Sequence, residues 1–293
     1  MSNPVIYRYF SDKKSLPEIA ENFEDLIKIV NNSHGKYDFQ LREDYSNVYH
    51  RGSSLAKVGR LKSGEYSVEI HHKYLQSAVL DEMNRCSEGG PRGEGAGGQD
   101  YLRFRVQPVH LAQFFQLAHL DDMACKIRQW GKKGEVVYEQ NLMADNPPNE
   151  TLILIDRQIT DHSDFGKMDI LALARDSVDE PFHFLVIEVK LGNNPELRND
   201  VDEQLTRYVN HVAIYIEDYG ENYQENYRQK KIMGLFGVAM PDEIRIDHRV
   251  RGMVVVGGYP DQAKNATDKL RPRYPDLVVQ VMEGLHGTIN PDV

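Results

Sequence analysis

Asp169, Glu188 and Lys190 are charged residues set inside two runs that are otherwise apolar. In Phe182-His-Phe-Leu-Val-Ile-Glu-Val-Lys190 both alternating faces are apolar until the end, the pattern of a central strand covered on each side. Glu188 and Lys190, two residues apart, project from one face of that strand. The run Lys167-Met-Asp-Ile-Leu-Ala-Leu-Ala174 is apolar in the same way, with Asp169 near its start. If the two runs form an antiparallel hairpin with Asp169 opposite Glu188, the turn centres between Val178 and Asp179. That midpoint falls inside the turn-like stretch Asp176-Ser-Val-Asp-Glu-Pro181. Burying such charges is costly unless they pair or hold a metal. Two carboxylates, the backbone carbonyl of Val189 and water suit Mg²⁺, with Mn²⁺ as its substitute. Lys190 would then orient or deprotonate an attacking water, or neutralise charge in the transition state. Hydrolysis of a phosphodiester fits this set of groups, and the plain alternative is a buried salt-bridge triad.

The elements that must position these groups follow from periodicity. Strands are expected at Val136 to Met143, Thr151 to Ile159, Met168 to Ala174 and Phe182 to Leu191, then a long helix from about Val201 into the 220s. Gly252 to Tyr259 reads as a strand, Asp261 to Leu270 as a short helix and Leu277 to Met282 as a last strand. Upstream, Ser15 to Asn31 has helical spacing, with Ser15 and Glu18 placed as in a capping box. Tyr37 to Leu41, Val48 to Val58 and Tyr66 to Tyr74 read as strands, and the segment from Pro108 to Gly131 as helical. Ser87 to Gly98 is too rich in glycine for either element and is expected to be a loop or linker.

Gln204 and Tyr208, four residues apart on the helix after the lysine strand, share a helix face. A core tyrosine with a surface or capping glutamine is the plain reading; the other is that Gln204 reaches the metal site or the scissile strand. In order, Gly166-Lys-Met-Asp169, Glu188-Val-Lys190 and Gln204-Leu-Thr-Arg-Tyr208 resemble the signature of the PD-(D/E)xK nuclease superfamily, over roughly residues 109 to 283. The Gln-x-x-x-Tyr element is similar to that of nuclease domains of the recombination-exonuclease (RecB) type. The resemblance implies an α/β fold, a restriction-endonuclease-like mixed sheet flanked by helices, joined here to an N-terminal α+β domain. It implies a Mg²⁺-dependent hydrolase with Asp169, Glu188, Lys190, Gln204 and Tyr208 at the catalytic centre and Asp169, Glu188 and Val189 at the metal. Members often add an acid from the first helix or strand. Leu111 to Trp130, read as that helix, offers Asp121 and Asp122 but no glutamate, so Glu139 is taken as the extra metal ligand over Glu135 and Asp156.

The expected domains are residues 1–85 (α+β, serving substrate selection or assembly), 86–100 (the glycine-rich loop) and 101–293 (nuclease-like). The expected partner is nucleic acid, DNA before RNA, with no membrane and with a homodimer left open. The alternative function is a nucleic-acid or protein binding module on the same fold that does not cleave. A net charge of −10 gives no overall pull toward a polyanion, which argues against a nonspecific coat protein but not against a local groove around metal-holding carboxylates. Lys126, Arg128, Lys132 and Lys133, and Arg228, Lys230 and Lys231, are candidate phosphate contacts that also suit helix C-termini. Tyr49, His50, His71, His72 and Tyr74 could stack on bases or simply pack, and His71 and His72 are expected on opposite faces of a strand, a poor metal pair. Cys86 and Cys125 are too few for a disulfide framework and lack zinc spacing. The absence of a leader-like start and of a long apolar run leads to the expectation of a cytoplasmic protein.

Overall fold

The computed structural model describes residues 5–89, 100–130, 134–163, 165–198, 200–270, 272 and 277–291. The chain divides into two compact units. One comprises Arg8–Lys133 with Gln229–Leu235, the other Met1–Tyr7, Gly134–Arg228 and Phe236–Val293. The class is mixed α/β, with two five-stranded sheets and, among the described residues, eight α-helices. None of those helices is long and apolar enough to cross a membrane.

In the N-terminal unit, helix α1 (Leu16–Asn31) buries Leu16, Ile19, Phe23, Leu26, Ile27 and Val30, the stripe its spacing predicts. Ser15 does not cap it: its Oγ donates to Asp12 at 2.6 Å, and Glu18 instead meets Arg60 at 2.9 Å. The sheet is an antiparallel meander of β1 (Asp38–Leu41), β2 (Tyr45–His50), β3 (Ser53–Arg60), β4 (Tyr66–His71) and β5 (Tyr101–Val106). The single strand expected over Val48 to Val58 is therefore two. Arg51 and Gly52 both take left-handed φ, 49° and 71°, which turns the chain back on itself as a two-residue hairpin requires.

Strand β4 stops at His71, and a 3₁₀ turn over His72–Tyr74 follows. The two histidine rings consequently lie 5.1 Å apart instead of on opposite faces of a strand. Helix α2 (Ser77–Arg85) precedes β5, and α3 (Leu111–Phe114) and α4 (Leu117–Trp130) complete the unit. The domain boundary expected at residue 101 thus moves to about 134. Strand β5 pairs with β4 in the register Val68↔Phe104, and Phe104, Phe114, Leu120 and Ile127 belong to this unit's core. Asp121 of α4 binds Lys36 at 2.6 Å within the same unit. Residues 90–99 of the glycine-rich segment lie outside the described residues, as do Lys132 and Lys133.

The C-terminal unit begins with a helix, α5 (Glu135–Asp145), where a strand was expected. Val136, Val137 and Tyr138 favour strand locally, but Tyr138 and Leu142, one helical turn apart, bury against the sheet and decide the matter. The approach is close enough to need Gly257: a Cβ there would stand 2.3 Å from the Tyr138 ring. The sheet has the order β10-β9-β8-β7-β6. Strands β6 (Leu152–Ile159), β7 (Met168–Ala174) and β8 (Phe182–Leu191) are antiparallel neighbours, while β9 (Ile246–Gly257) and β10 (Val278–Met282) join in parallel. The β7–β8 register runs from Ala174↔His183 to Ile170↔Ile187, which sets Asp169 opposite Glu188 at the next step. Strand β8 is central and buried from Phe182 to Lys190. The expected long helix is two, α6 (Val201–Ile214) and α7 (Ile216–Ile232), broken at Tyr215, and α8 (Pro260–Leu270) precedes β10.

Candidate active site

The sheet delivers Asp169, Glu188 and Lys190 to one place. Pairing of β7 with β8 ends at Ile170↔Ile187, and beyond that step the Asp169 side chain takes over: its Oδ2 accepts from the Val189 N–H at 3.0 Å. The N–H and C=O of a strand residue point to the same side, so the Val189 carbonyl faces the same strand edge. Glu188 and Lys190 extend from one face of β8, and the Lys190 Nζ meets Glu188 Oε1 at 2.8 Å. A second partner was not anticipated: Glu196, in the 3₁₀ turn Pro195–Arg198, accepts from the same ammonium at 2.7 Å.

The electrostatics are lopsided. Glu188 is 1 % exposed; no other group donates to its buried Oε2, and its protonated carboxyl hydrogen-bonds to Asp169. Burial and the charge of Asp169 push the Glu188 carboxyl up to about 8, against the pull of Lys190. Asp169 is pushed up to about 6, chiefly by burial, with the Val189 N–H and Lys190 opposing. Burial works against the Lys190 charge, but Glu188 and Glu196 outweigh it and hold the ammonium above its ordinary range. Of the roles expected for Lys190, deprotonating water requires a neutral amine, which these neighbours disfavour. Orienting a water or a phosphate and neutralising developing charge remain.

Glu139 lies on α5, not on a strand, and is 1 % exposed. Both of its oxygens accept from Gln158 Nε2 at 2.7 Å, and Arg157 Nη1 stands 3.9 Å from Oε2. Burial and the Asp169 charge raise its carboxyl to about 8. It is thus an electrostatic neighbour of the site, but it does not join Asp169 and Glu188 in a common cage. Among the described residues no three His, Cys, Asp or Glu side chains converge to hold a metal. Glu135, one turn earlier on α5, accepts from the Leu191 N–H at 3.0 Å and from Asn194 at 2.6 Å, tying the end of β8 to the helix. Asp156 is wholly buried and accepts from the Arg157 N–H at 2.7 Å and the Tyr223 hydroxyl at 3.1 Å, a structural role.

Gln158 was not foreseen. It follows an irregularity in β6 and adopts φ 52°, a conformation that non-glycine residues sustain only where neighbours hold them. Its side chain links Glu139 to Lys167, whose Nζ donates to Gln158 Oε1 at 2.5 Å. No sequence pattern marks such a position. Gln204 and Tyr208 do meet, Nε2 donating to the hydroxyl at 3.2 Å. Neither bonds Asp169, Glu188 or Lys190. Tyr208 is buried, and a Cβ at Gly166 would meet its hydroxyl at 3.4 Å, an ordinary contact; the φ of 114°, not a lack of space, is what favours glycine there. Tyr208 therefore shapes the loop leading to Asp169. The basic cluster near the end of α7 is largely engaged, Arg228 with Glu225 at 2.6 Å and Lys230, buried, with Gln40 at 2.8 Å.

A second cluster precedes β7. Asp161 Oδ2 lies 2.5 Å from His211 Nε2 and accepts from the Tyr219 hydroxyl at 3.2 Å, while Oδ1 accepts from the Ser163 N–H and hydroxyl at 2.8 and 2.6 Å. Phe165 stacks on the His211 ring, with centroids 3.9 Å apart and planes 4° apart.

No family model, curated protein or solved structure matches this chain. The site's geometry and chemistry therefore carry the functional argument.

Proposed function

We propose that the C-terminal unit is a restriction-endonuclease-like domain of the PD-(D/E)xK superfamily and that the protein is a Mg²⁺-dependent nuclease, acting on DNA in preference to RNA. One observation carries the reading: two carboxyl groups from adjacent strands crowd one buried end of the sheet, sharing a hydrogen bond that needs a proton between them, with Lys190 at their side. When both are ionised, one buried Glu188 oxygen is left without a donor, which costs free energy unless something else satisfies it. Two carboxylates, one backbone carbonyl and otherwise water match what Mg²⁺ accepts from proteins.

Asp169, Glu188 and the Val189 carbonyl would hold the ion, with Mn²⁺ as substitute. When bound, it supplies Lewis-acid charge against a phosphate oxygen and lowers the pKa of water. Lys190 stays protonated between Glu188 and Glu196, so its contribution is positive charge and a hydrogen bond toward the phosphate. The Asp169 carboxylate is kept in place by the Val189 N–H, and Glu139 with Gln158 and Arg157 completes the polar surroundings. Gln204 and Tyr208 hold the loop that delivers Asp169.

The test is cleavage of labelled DNA, single- and double-stranded, linear and circular, and of RNA, in Mg²⁺, Mn²⁺ and EDTA. Wild type should cut in either metal and not in EDTA, and Lys190→Ala should not cut. Retained DNA binding without cleavage, and without a calorimetric Mg²⁺ signal that Asp169→Ala removes, would establish a non-cleaving binding module instead.

A further inference from the structure

Lys167 and Gln158 stand beside the paired carboxyls without holding the metal that those carboxyls suit. Lys167 precedes Asp169 by two residues, at the entry to β7, and is exposed. The β6–β7 pairing runs from Arg157↔Ile170 to Ile159↔Met168, so the step between them sets Gln158 across from Asp169. Asp169 is in turn one step beyond Ile170↔Ile187, across from Glu188. A glutamine, an aspartate and a glutamate thus occupy one level of three adjacent strands, and Lys167 enters the sheet next to them.

The link between Lys167 and Gln158 has a direction. An ammonium only donates hydrogen bonds, so Gln158 Oε1 must face Lys167, whose Nζ it meets at 2.5 Å. The amide NH2 is then turned toward Glu139, and Nε2 lies 2.7 Å from each of the two carboxyl oxygens. Glu139 is 1 % exposed and belongs to α5, so the inner end of this chain is anchored in the core while its outer end reaches the surface. Gln158 holds φ 52° there, a conformation that its two bonds help to keep. The charges of both Asp169 and Lys167 act on the Glu139 carboxyl, which places the chain within electrostatic reach of the site.

The two lysines near the site are consequently unlike. Lys190 is buried and spends its charge on Glu188 and Glu196. Lys167 is exposed, its hydrogen bond goes to a neutral amide, and it forms no salt bridge among the described residues. A cation held in this way keeps its charge available to an anion, and a lysine already ordered loses less side-chain entropy on binding one.

We propose that Lys167 binds a backbone phosphate of the nucleic acid, next to the one attacked at Asp169 and Glu188, and that Gln158, fixed by Glu139, positions it. The proposal rests on the nuclease reading. Lys190 then serves the scissile phosphate from within the site and Lys167 a neighbouring one from its surface. Because the contact is to the backbone, it is the same for every base sequence.

The experiment is fluorescence anisotropy with labelled oligonucleotides in EDTA, where binding is read without cleavage, repeated from about 50 to about 200 mM salt. Loss of one phosphate contact reduces the slope of log affinity against log salt by about 0.7 for a single strand and about 0.9 for a duplex. Lys167→Ala should lose that amount, equally on two strands of unrelated sequence, and in Mg²⁺ should raise KM several-fold with kcat nearly unchanged. Lys167→Arg should keep the wild-type slope. Gln158→Asn tolerates a left-handed φ but is too short to span Glu139 and Lys167, so it should keep the slope and weaken binding a few-fold. Urea midpoints close to wild type for all three variants are expected, since a change in slope is not a change in folding. An unchanged slope in Lys167→Ala overturns the proposal, as does a loss that depends on base sequence, and wild-type binding by Gln158→Asn overturns the positioning role. Failure of the two readings is distinguishable: metal-dependent cutting with the slope unchanged in Lys167→Ala sinks only this contact, whereas no binding of any nucleic acid by wild type sinks both.

Discussion

Asp161 and Asp169 stand eight positions apart in the chain, at the two ends of one connecting segment, and the structure treats them in opposite ways. Asp161 has a donor for each oxygen: Ser163 twice on one, His211 and Tyr219 on the other. Burial raises its carboxyl, but those bonds and the His211 charge prevail and bring it below its ordinary value. Asp169 has the Val189 N–H and otherwise only a hydrogen bond from the protonated Glu188 carboxyl, whose buried Oε2 no other group donates to, and both carboxyls are pushed up. A carboxylate whose lone pairs are filled by the protein is finished as a structural element. A pair left short of donors and pressed together has capacity for a cation, and the fold alone does not make it comfortable.

The sharpest way to break this contrast is to neutralise one member of each cluster. Asp169→Asn should lower metal-dependent cleavage by roughly 10³-fold, as for loss of a main electrostatic element of an active site. The same substitution should raise the stability of the metal-free protein, by something on the order of 1 kcal/mol, the equivalent of about one pKa unit of relieved repulsion. Urea unfolding in EDTA measures it, and a variant less stable than wild type would place Asp169 with the structural acids. Asp161→Ala should behave in the reverse manner. It removes the carboxylate that binds His211 and accepts from the Tyr219 hydroxyl, and should cost about 3 kcal/mol, the usual loss when one partner of a buried pair is removed.

The two clusters also carry opposite pH dependence. For Asp169 and Glu188 the native values, about 6 and about 8, lie above the ordinary 3.8 and 4.5. As pH rises from about 4.5 to about 8 the unfolded chain releases these protons before the native one does. The native state then holds more protons than the unfolded state, so metal-free stability falls across that window. For Asp161 the native value is lowered, so its contribution is present above the ordinary value of 3.8 and is lost as pH falls through the native one. Thermal melts in EDTA should therefore decline from pH 5 to pH 8, and saturating Mg²⁺ should raise the melting temperature more at pH 8 than at pH 5.5. A Mg²⁺ shift that is equal at both values would detach the ion from these carboxylates.

The register that creates the contrast was legible in the sequence, whereas the surroundings were not. Apolar residues on both faces of Phe182 to Lys190 and Met168 to Ala174, with one turn-like stretch between, leave few alternative pairings, and the observed Ile170↔Ile187 step is the one they allow. Helix α5 was obscured because Val136 and Val137 favour strand and the burial of Tyr138 against Gly257 is a long-range contact. With Val136 to Met143 read as a strand, the helix expected before the strands was Leu111 to Trp130, which the structure places in the other unit. Gln158 depends on a left-handed φ and Glu196 on the path of a short 3₁₀ turn, neither of which has a sequence period. The hairpin at Arg51 and Gly52 was missed because a single glycine between two apolar runs was read as part of a strand.

The smallest expected effect concerns Glu196, and it separates the two ways in which Lys190 is held. Its side chain is 48 % exposed, so its bridge to Lys190 is screened by solvent and should contribute well under 1 kcal/mol. Glu196→Gln keeps the shape and the hydrogen-bond acceptor, and urea unfolding should hardly distinguish it from wild type. Glu188, buried 2.8 Å from the ammonium, continues to fix Lys190, so cleavage should change by no more than a few-fold. If the positive charge of Lys190 serves a phosphate, removing its outer competitor should lower KM for the nucleic acid while leaving kcat nearly unchanged, because substrate then no longer competes with Glu196 for that charge. If Lys190 is instead only the centre of a structural triad with Asp169 and Glu188, the same variant should leave KM unchanged.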